Sequence, residues 1–355
     1  MRLPFFRQPA LLGLDIGSSA IKLVQLKPIG NTYHLVKFGI KTLEPELIVD
    51  GMIADAARVV SAIKDLLAEQ QVKTKHVVMS VSGNAVIIKR VALPQMTEEL
   101  LAQSIAWEAE PHIPFDMNDV NLDFHVMGPS QAEGPVPQMD VLLVAVKKDK
   151  LLSYTQLAMD AGLVPVVVDV DCFALENMYG LHCPIAQTEC TAMVNVGAHI
   201  TTLHILQGGN FAFTRDMTTG SHACNESLQR DFHITYEQAE QALRLEPLEG
   251  IEAQAILGTI DRFSMDLAEE VMRSVDYYKS TSDVPPSRIL LSGGGAKIPS
   301  VCARLQEKIG MEVEIANPFA KIQASPKLFN VDYLREMAPL AAVGVGLALR
   351  RTGDR

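Results

Sequence analysis

The chain has 355 residues, 48% of them hydrophobic and 21% charged, which is the balance of a folded protein long enough for two domains of ordinary size. A net charge of −11 without clustered Lys and Arg excludes nucleic-acid binding through a bulk positive field. Five cysteines (Cys172, Cys183, Cys190, Cys224 and Cys302), odd in number and without a C-x-x-C pair, spell neither a disulfide framework nor a zinc site and point to a reducing, cytoplasmic setting.

The start, MRLPFFRQP, has an apolar patch too short for a signal peptide and reads as a lead-in to the first strand. Leu11 to Leu26, LLGLDIGSSAIKLVQL, carries an apolar run to Asp15, a turn through Gly17, Ser18 and Ser19, and a second run from Ile21. That pattern predicts a β-hairpin, and its turn offers backbone N–H groups and hydroxyls to an anion. Thr32 to Ile40 adds a third strand. Met52 to Gln70 has helical spacing with Asp50 and Gly51 as its start signal, and Val77 to Val81 is a short apolar strand of the buried parallel kind. The first unit is therefore βββαβ.

Val86 to Ala92 predicts a strand that Pro94 breaks, and Thr97 to Glu110 a helix opened by Thr97 with acids in its first turn. Trp107, the single tryptophan, lies on that helix and is expected in the core. Strands Val120 to Met127 and Met139 to Val146 follow, joined by GPSQAEGPVPQ, a joint expected to be exposed and mobile. A helix from Lys150 to Ala161 and a strand from Val164 to Val170 close a piece that reads as an inserted subdomain. Helix Phe173 to Tyr179 leads to a break at Cys183-Pro184.

Thr191 to Leu206 and Asn210 to Met217 then repeat the logic of the N-terminus: strand, glycine turn, strand, turn at Gly208-Gly209, strand. His199 and His204 fall in this stretch as ordinary strand residues. A helix is expected from Ser221 to Phe232, capped by Ser or Thr after Gly220, and a helical insertion from Thr235 to Tyr278. Strand Arg288 to Leu291 runs into Ser292-Gly293-Gly294-Gly295 and a helix from Ile298 to Ile309, an order that brings bare backbone and a helix N-terminus to an anionic or planar ligand. No G-x-G-x-x-G or P-loop motif occurs. The last apolar run, Met337 to Leu349, contains Pro339 and falls short of the roughly 20 residues of a membrane span.

Three separated elements, DIGSSAIK (Asp15 to Lys22), NVGAHITTL (Asn195 to Leu203) and LLSGGGAKIP (Leu290 to Pro299), together resemble the two phosphate motifs and the adenosine motif of the actin, Hsp70 and sugar kinase ATPase superfamily. The inserted piece resembles that of the FtsA-like branch. The stretches Lys89 to Val126, Val141 to Asn177 and Ala338 to Arg350 are similar to the PilM family of type IV pilus assembly proteins.

The resemblance implies an α/β chain with a duplicated actin-like ATPase fold, two RNase H-like lobes and an FtsA-type inserted subdomain. Residues 1–84, 162–190 and 338–350 would form the first lobe, 85–161 the insert, 191–234 with 285–337 the second lobe, and 235–284 its helical subdomain. It implies ATP or ADP with Mg²⁺. Asp15 and Asn195 would hold the ion through water, Gly17, Ser18, Ser19 and Lys22 the phosphates, and Gly197, Ala198 and Thr201 the phosphates from the opposite lobe. Gly293, Gly294 and Gly295 would pass beneath the nucleoside, with Lys297 and Ile298 beside the base and Glu240 on the ribose.

Asn195 stands where the superfamily usually has aspartate, and Leu243 where a lysine is expected, with Arg244 beside it. Asp169 and Asp171 are the remaining carboxylates placed to activate water, so hydrolysis is expected to be slow at most. Implied partners are the N-terminal peptide of a PilN-type membrane protein, gripped between the first lobe and the insert, other pilus motor and platform proteins, and further copies of the chain, at the inner face of the bacterial inner membrane. The alternative is a small-molecule kinase or other turnover ATPase of the same superfamily.

Overall fold

The structure, a computed structural model, describes residues 11–130, 136–182 and 189–354. The N-terminal lead-in, the middle of the Gly- and Pro-rich joint and the Cys183-Pro184 break lie outside the described residues.

β1 (Leu12–Ile16) is apolar apart from Asp15 and buried throughout. It turns into β2 (Ala20–Ile29), and β3 (Thr32–Thr42) completes an antiparallel meander in which Leu12 faces Gln25 and Ile16 faces Ile21. A small hairpin of β4 (Ile48–Val49) and β5 (Met52–Ile53) follows, with Asp50 and Gly51 of its turn both at positive φ. Helix α1 (Ala56–Glu69) therefore starts later than the spacing from Met52 suggested, because Asp55 caps it by accepting the Arg58 N–H. β6 (His76–Val81) lies parallel to β1.

β7 (Val86–Pro94), α2 (Glu98–Ala109), β8 (Val120–Pro129) and β9 (Gln138–Lys147) build a separate three-stranded sheet in the order β7-β9-β8. It has its own core of Val91, Leu93, Leu101, Ala109, Val141 and Leu143. Trp107 is 78% exposed rather than in that core, since Leu101 and Ala109 define the buried face of α2 and Trp107 falls on the other side of the helix. α3 (Lys148–Asp160) also departs from expectation. Although counted with the insert, it packs Tyr154, Leu157 and Ala158 into the first lobe's core beside Val59, Ile63 and Met79. β10 (Val164–Val170) runs parallel to β6, and α4 (Asp171–His182) leads away.

The second lobe repeats the scheme with β11 (Cys190–Val196), β12 (Thr201–Gln207) and β13 (Asn210–Met217), followed by α5 (His222–Phe232), α6 (Tyr236–Leu243) and α7 (Ala253–Thr281). β14 (Arg288–Ser292), α8 (Val301–Ile309) and β15 (Glu312–Ile315) complete it. Its sheet order, β13-β12-β11-β14-β15, reproduces β3-β2-β1-β6-β10, with antiparallel strands on one side of the founding strand and parallel strands on the other. The chain is thus a two-lobed α/β protein made of two copies of one topology.

Three local expectations fail. α8 begins at Val301 instead of Ile298, because Gly294–Lys297 close a 3₁₀ turn and Ser300 has a φ of 69°. Its N-terminus is consequently set back from the glycine turn. Ser221 precedes α5 without a side-chain capping bond. The end of 285–337 leaves the second lobe: β16 (Ile322–Gln323) pairs with β3 at the edge of the first sheet.

α9 (Val331–Met337), a 3₁₀ turn and α10 (Ala342–Leu349) finish the chain, and α10 packs against α4, β1 and β2. Among the described residues no helix is long and apolar enough to cross a membrane. A Cβ on Gly346 would overlap the backbone oxygen of Ala174 in α4. Gly346→Ala should therefore cost about 1–3 kcal/mol of stability through overpacking. Gly258, exposed on α7 with open space around it, makes the converse case. Gly258→Ala should add about 0.5–1 kcal/mol by helix propensity, and chemical denaturation midpoints check both.

Candidate functional site

The two founding hairpins have turns of the same construction. Gly17 N–H donates to Ala20 O at 3.1 Å, and Gly197 N–H donates to Ile200 O at 2.9 Å. A cavity of ≈ 120 Å³ lies between these turns and is walled by both lobes. Asp15, Gly17, Ser18, Ser19 and Lys22 line it from the first lobe, and Asn195, Gly197, Ala198, Gly293 and Gly294 from the second. Residues without a recognisable local motif also line it: Ser80 near the end of β6 and Ser82 just after it, Asp171 at the head of α4, Thr202 and His199 beside the second turn, and Gly51, Lys150 and Tyr154.

The charges inside are two carboxylates and two ammonium groups. Lys22 Nζ lies 3.2 Å from Asp15 Oδ2, with both side chains mostly buried. Burial pushes the Asp15 carboxyl above its ordinary range; Lys22 opposes that shift and the Asp171 carboxylate adds to it. Asp171 accepts a 2.5 Å bond from Ser80 Oγ, and Asn195 Oδ1 accepts one of 3.0 Å from Ser292 Oγ. A Cβ at Gly17 would stand 3.0 Å from Lys22 Nζ, so glycine keeps the ammonium free to reach over the turn. Turn backbone, hydroxyls and two lysines together with two carboxylates form a set that fits a phosphate chain with a hydrated divalent ion.

Several expected residues do not line this cavity. Thr201 is fully buried and donates its hydroxyl to Thr219 O at 2.7 Å, while its neighbour Thr202 takes the cavity position. Glu240 accepts from Asn225 Nδ2 at 2.9 Å, with Arg244 4.0 Å away, and Arg244 itself pairs with Glu246 at 2.8 Å. Lys297 pairs with Glu336 at 3.0 Å, and Ile298 sits in the second lobe's core.

Gly293 and Gly295 are demanded by packing, since a Cβ on either would overlap Val196 of β11. Gly294 alone of the three faces open space. Asp169 belongs elsewhere: the chain leaves the strand for α4 at Asp171, which sends the two acids to different cavities.

That other cavity is a groove of ≈ 1480 Å³. Along β9 the side chains alternate, so that Met139, Val141, Leu143 and Ala145 fill the insert's core while Asp140, Leu142, Val144 and Val146 face the groove. β8 is the edge of the insert's sheet and β10 the edge of the first lobe's sheet, and both border the groove. The β12–β13 turn, Gln207 to Ala212, and the segment Thr281 to Val284 add a wall from the second lobe, which the sequence did not foretell. At its base Arg350 Nε lies 3.5 Å from Asp169 Oδ2, too far for a good hydrogen bond. Those two atoms and Asn177 Nδ2 are buried without a hydrogen-bond partner. Burial pushes the Asp169 carboxyl up against the pull of Arg350.

The family model described as type IV pilus assembly protein PilM matches residues 13–352. Among solved structures the chain is similar to one described as a PilM-PilN type IV pilus biogenesis complex, at 31% identity over 96% of this chain and 98% of that one, with a TM-score of 0.84. The ethanolamine utilization protein EutJ from Carboxydothermus hydrogenoformans shares the fold at 15% identity, covering 96% of this chain and 89% of that one, with a TM-score of 0.58. An MreB of Spiroplasma citri bound to ADP does so at 12% identity, covering 95% and 94%, with a TM-score of 0.51.

The glycine turn after β14 yields a test of packed against cavity-facing positions. Gly293→Ala, strained at a φ of 85° and blocked by Val196, should lose more than about 1 kcal/mol. Gly294→Ala should stay within about 0.5 kcal/mol of the parent. Urea denaturation of both variants reads the difference.

Proposed function

The chain belongs to the type IV pilus assembly protein PilM family, and from that premise we propose that it is a nucleotide-ordered scaffold of the pilus assembly platform. In this reading ATP or ADP with Mg²⁺ lies between the Gly17–Ser19 and Gly197–Ala198 turns. A PilN-type partner, named with the related complex, inserts its N-terminal cytoplasmic peptide into the groove between insert and first lobe. That attachment would hold the protein at the inner face of the membrane, beside other platform and motor proteins.

The observation that carries the reading is the pair of matching hairpin turns facing one cavity, with Lys22 laid over the first turn beside Asp15. Asp15 would hold the ion's water shell, Ser18 and Ser19 would donate hydroxyls, and Lys22 would supply a point charge to the phosphates. Bound Mg²⁺ would neutralise part of the phosphate charge. Asn195 brings an oxygen but no negative charge and no base, which suits retention of nucleotide more than its turnover. At ≈ 120 Å³ the cavity is below the roughly 300–1,000 Å³ of small-molecule sites, so a whole nucleotide requires the lobes to part slightly.

Two sheet edges, a hydrophobic β9 face and buried unpartnered polar atoms make the large groove suited to an extended peptide that adds as a strand and brings its own polar groups. Its second-lobe wall would let the peptide sense how the lobes are set. A small-molecule kinase would instead need a compact substrate chamber beside the phosphates.

Isothermal titration with ATP·Mg²⁺ should show binding that falls at least about ten-fold in Lys22→Ala, from loss of a charged hydrogen-bonding group. A synthetic peptide of the PilN-type N-terminus should bind the parent, and Val144→Lys should weaken that peptide while leaving nucleotide affinity unchanged. Absence of heat with both ligands would sink the scaffold reading.

A further inference from the structure

The nucleotide cavity holds a second ammonium group that none of the phosphate motifs supplies. Lys150 lies on the first turn of α3, and its Nζ donates a 2.5 Å bond to the backbone oxygen of Gly51 and sits 4.0 Å from the centre of the Tyr154 ring. It lines the same cavity as the Gly17–Ser19 turn and Asp171. Burial lowers its pKa to about 8, with Asp171 and Asp149 opposing the shift. We propose that Lys150 is a phosphate-binding residue that reads the terminal phosphate of a bound nucleoside triphosphate. This rests on the nucleotide-binding reading above.

Three observations carry the assignment. Lys22 reaches the cavity already paired with Asp15 at 3.2 Å, whereas the hydrogen bond of Lys150 goes to a neutral carbonyl, so Lys150 adds a charge that it does not share with a bonded carboxylate. The exchange is also inexpensive. Gly51 O accepts a second bond from Tyr154 Oη at 3.2 Å, so when the ammonium leaves, that half-buried acceptor keeps a donor. Finally, the turn that Lys150 leaves is well fixed: Asp50 and Gly51 have positive φ, as a tight two-residue hairpin requires, so the hairpin stays in place when the lysine swings.

The position of Lys150 gives this contact a consequence at a distance. α3 follows β9 directly and is joined to β10 by a short turn, and both strands border the large groove. A triphosphate that draws Lys150 inward pulls on the helix that joins the two walls of the groove. A diphosphate, shorter by the group Lys150 reads, leaves the lysine on Gly51.

Titration of the full chain with ATP·Mg²⁺ and ADP·Mg²⁺ tests the assignment on the parent, Lys150→Met and Lys22→Ala. Lys150→Met should weaken ATP by about ten-fold or more, as expected for a hydrogen bond to a charged group, and change ADP by less than about three-fold, at an unchanged thermal midpoint of the free protein. Equal losses for both nucleotides would overturn the terminal-phosphate role. Unchanged ATP affinity in Lys150→Met, with Lys22→Ala impaired, would overturn the Lys150 assignment and leave the nucleotide site standing. Failure of the parent to bind either nucleotide would overturn both.

A second measurement needs no variant. Acetylation of Lys150 by acetic anhydride at pH 8, followed by peptide mass spectrometry, should be slowed by ATP·Mg²⁺ and not by ADP·Mg²⁺. Equal labelling with and without ATP would overturn the proposal.

Discussion

The rest of the molecule depends on a contact of backbone against backbone. α10 lies so close to β1 and α4 that Gly13 meets the Gly344 oxygen and Gly346 meets the Ala174 oxygen, positions where a methyl group would overlap main-chain atoms. Nearly every residue of α10 is buried in this seat, among Val24, Ala174, Leu175 and Met178. The last helix thereby covers the Gly13 face of the first strand. The 3₁₀ turn just before α10 presents the Pro339 oxygen to the Gly293 N–H at 2.8 Å, which anchors the glycine turn of the second lobe to the body of the first. Both walls of the small cavity are positioned from this one seat.

The lobes are further tied by polar bonds. Asp216 on β13 accepts from the Gly83 N–H of the first lobe at 2.7 Å and from Thr202 Oγ1 at 2.7 Å, and burial raises its pKa against those bonds. Glu176 of α4 reaches the fully buried His204 of β12 at 3.3 Å. These links add to an apolar seam between the lobes, in which Met193 of β11 and Leu206 of β12 are buried in one cluster with Leu175 and Met178 of α4.

Much of this was legible in the chain. The repeated pattern of strand, glycine turn and strand identified the duplication, because a two-residue side-chain period interrupted by glycine is set by local geometry. The positions of Asp15, Gly17, Lys22, Asn195 and Gly197 on one cavity follow from where those turns sit at the ends of founding strands, and Gly294 reaches it from the turn after β14. Less legible were α1, whose start depended on which of two aspartates made the capping bond, and Trp107, whose side of α2 was decided by where the three-stranded sheet lay.

By itself, then, the sequence determined most of the elements, their duplication and the two glycine turns that face one cavity, since each is encoded by periodicity and turn chemistry within a dozen or so neighbours. Only the tertiary structure decided what meets across distance. It brought Lys150 and Tyr154 of α3 beside the first hairpin and separated Asp169 from Asp171. It set Gly293 and Gly295 against Val196, and it gave the large groove its wall from the second lobe. The physical reason is that close packing and buried charge depend on atoms contributed by segments far apart in the chain, and no local pattern in one segment specifies the shape of the surface it will meet.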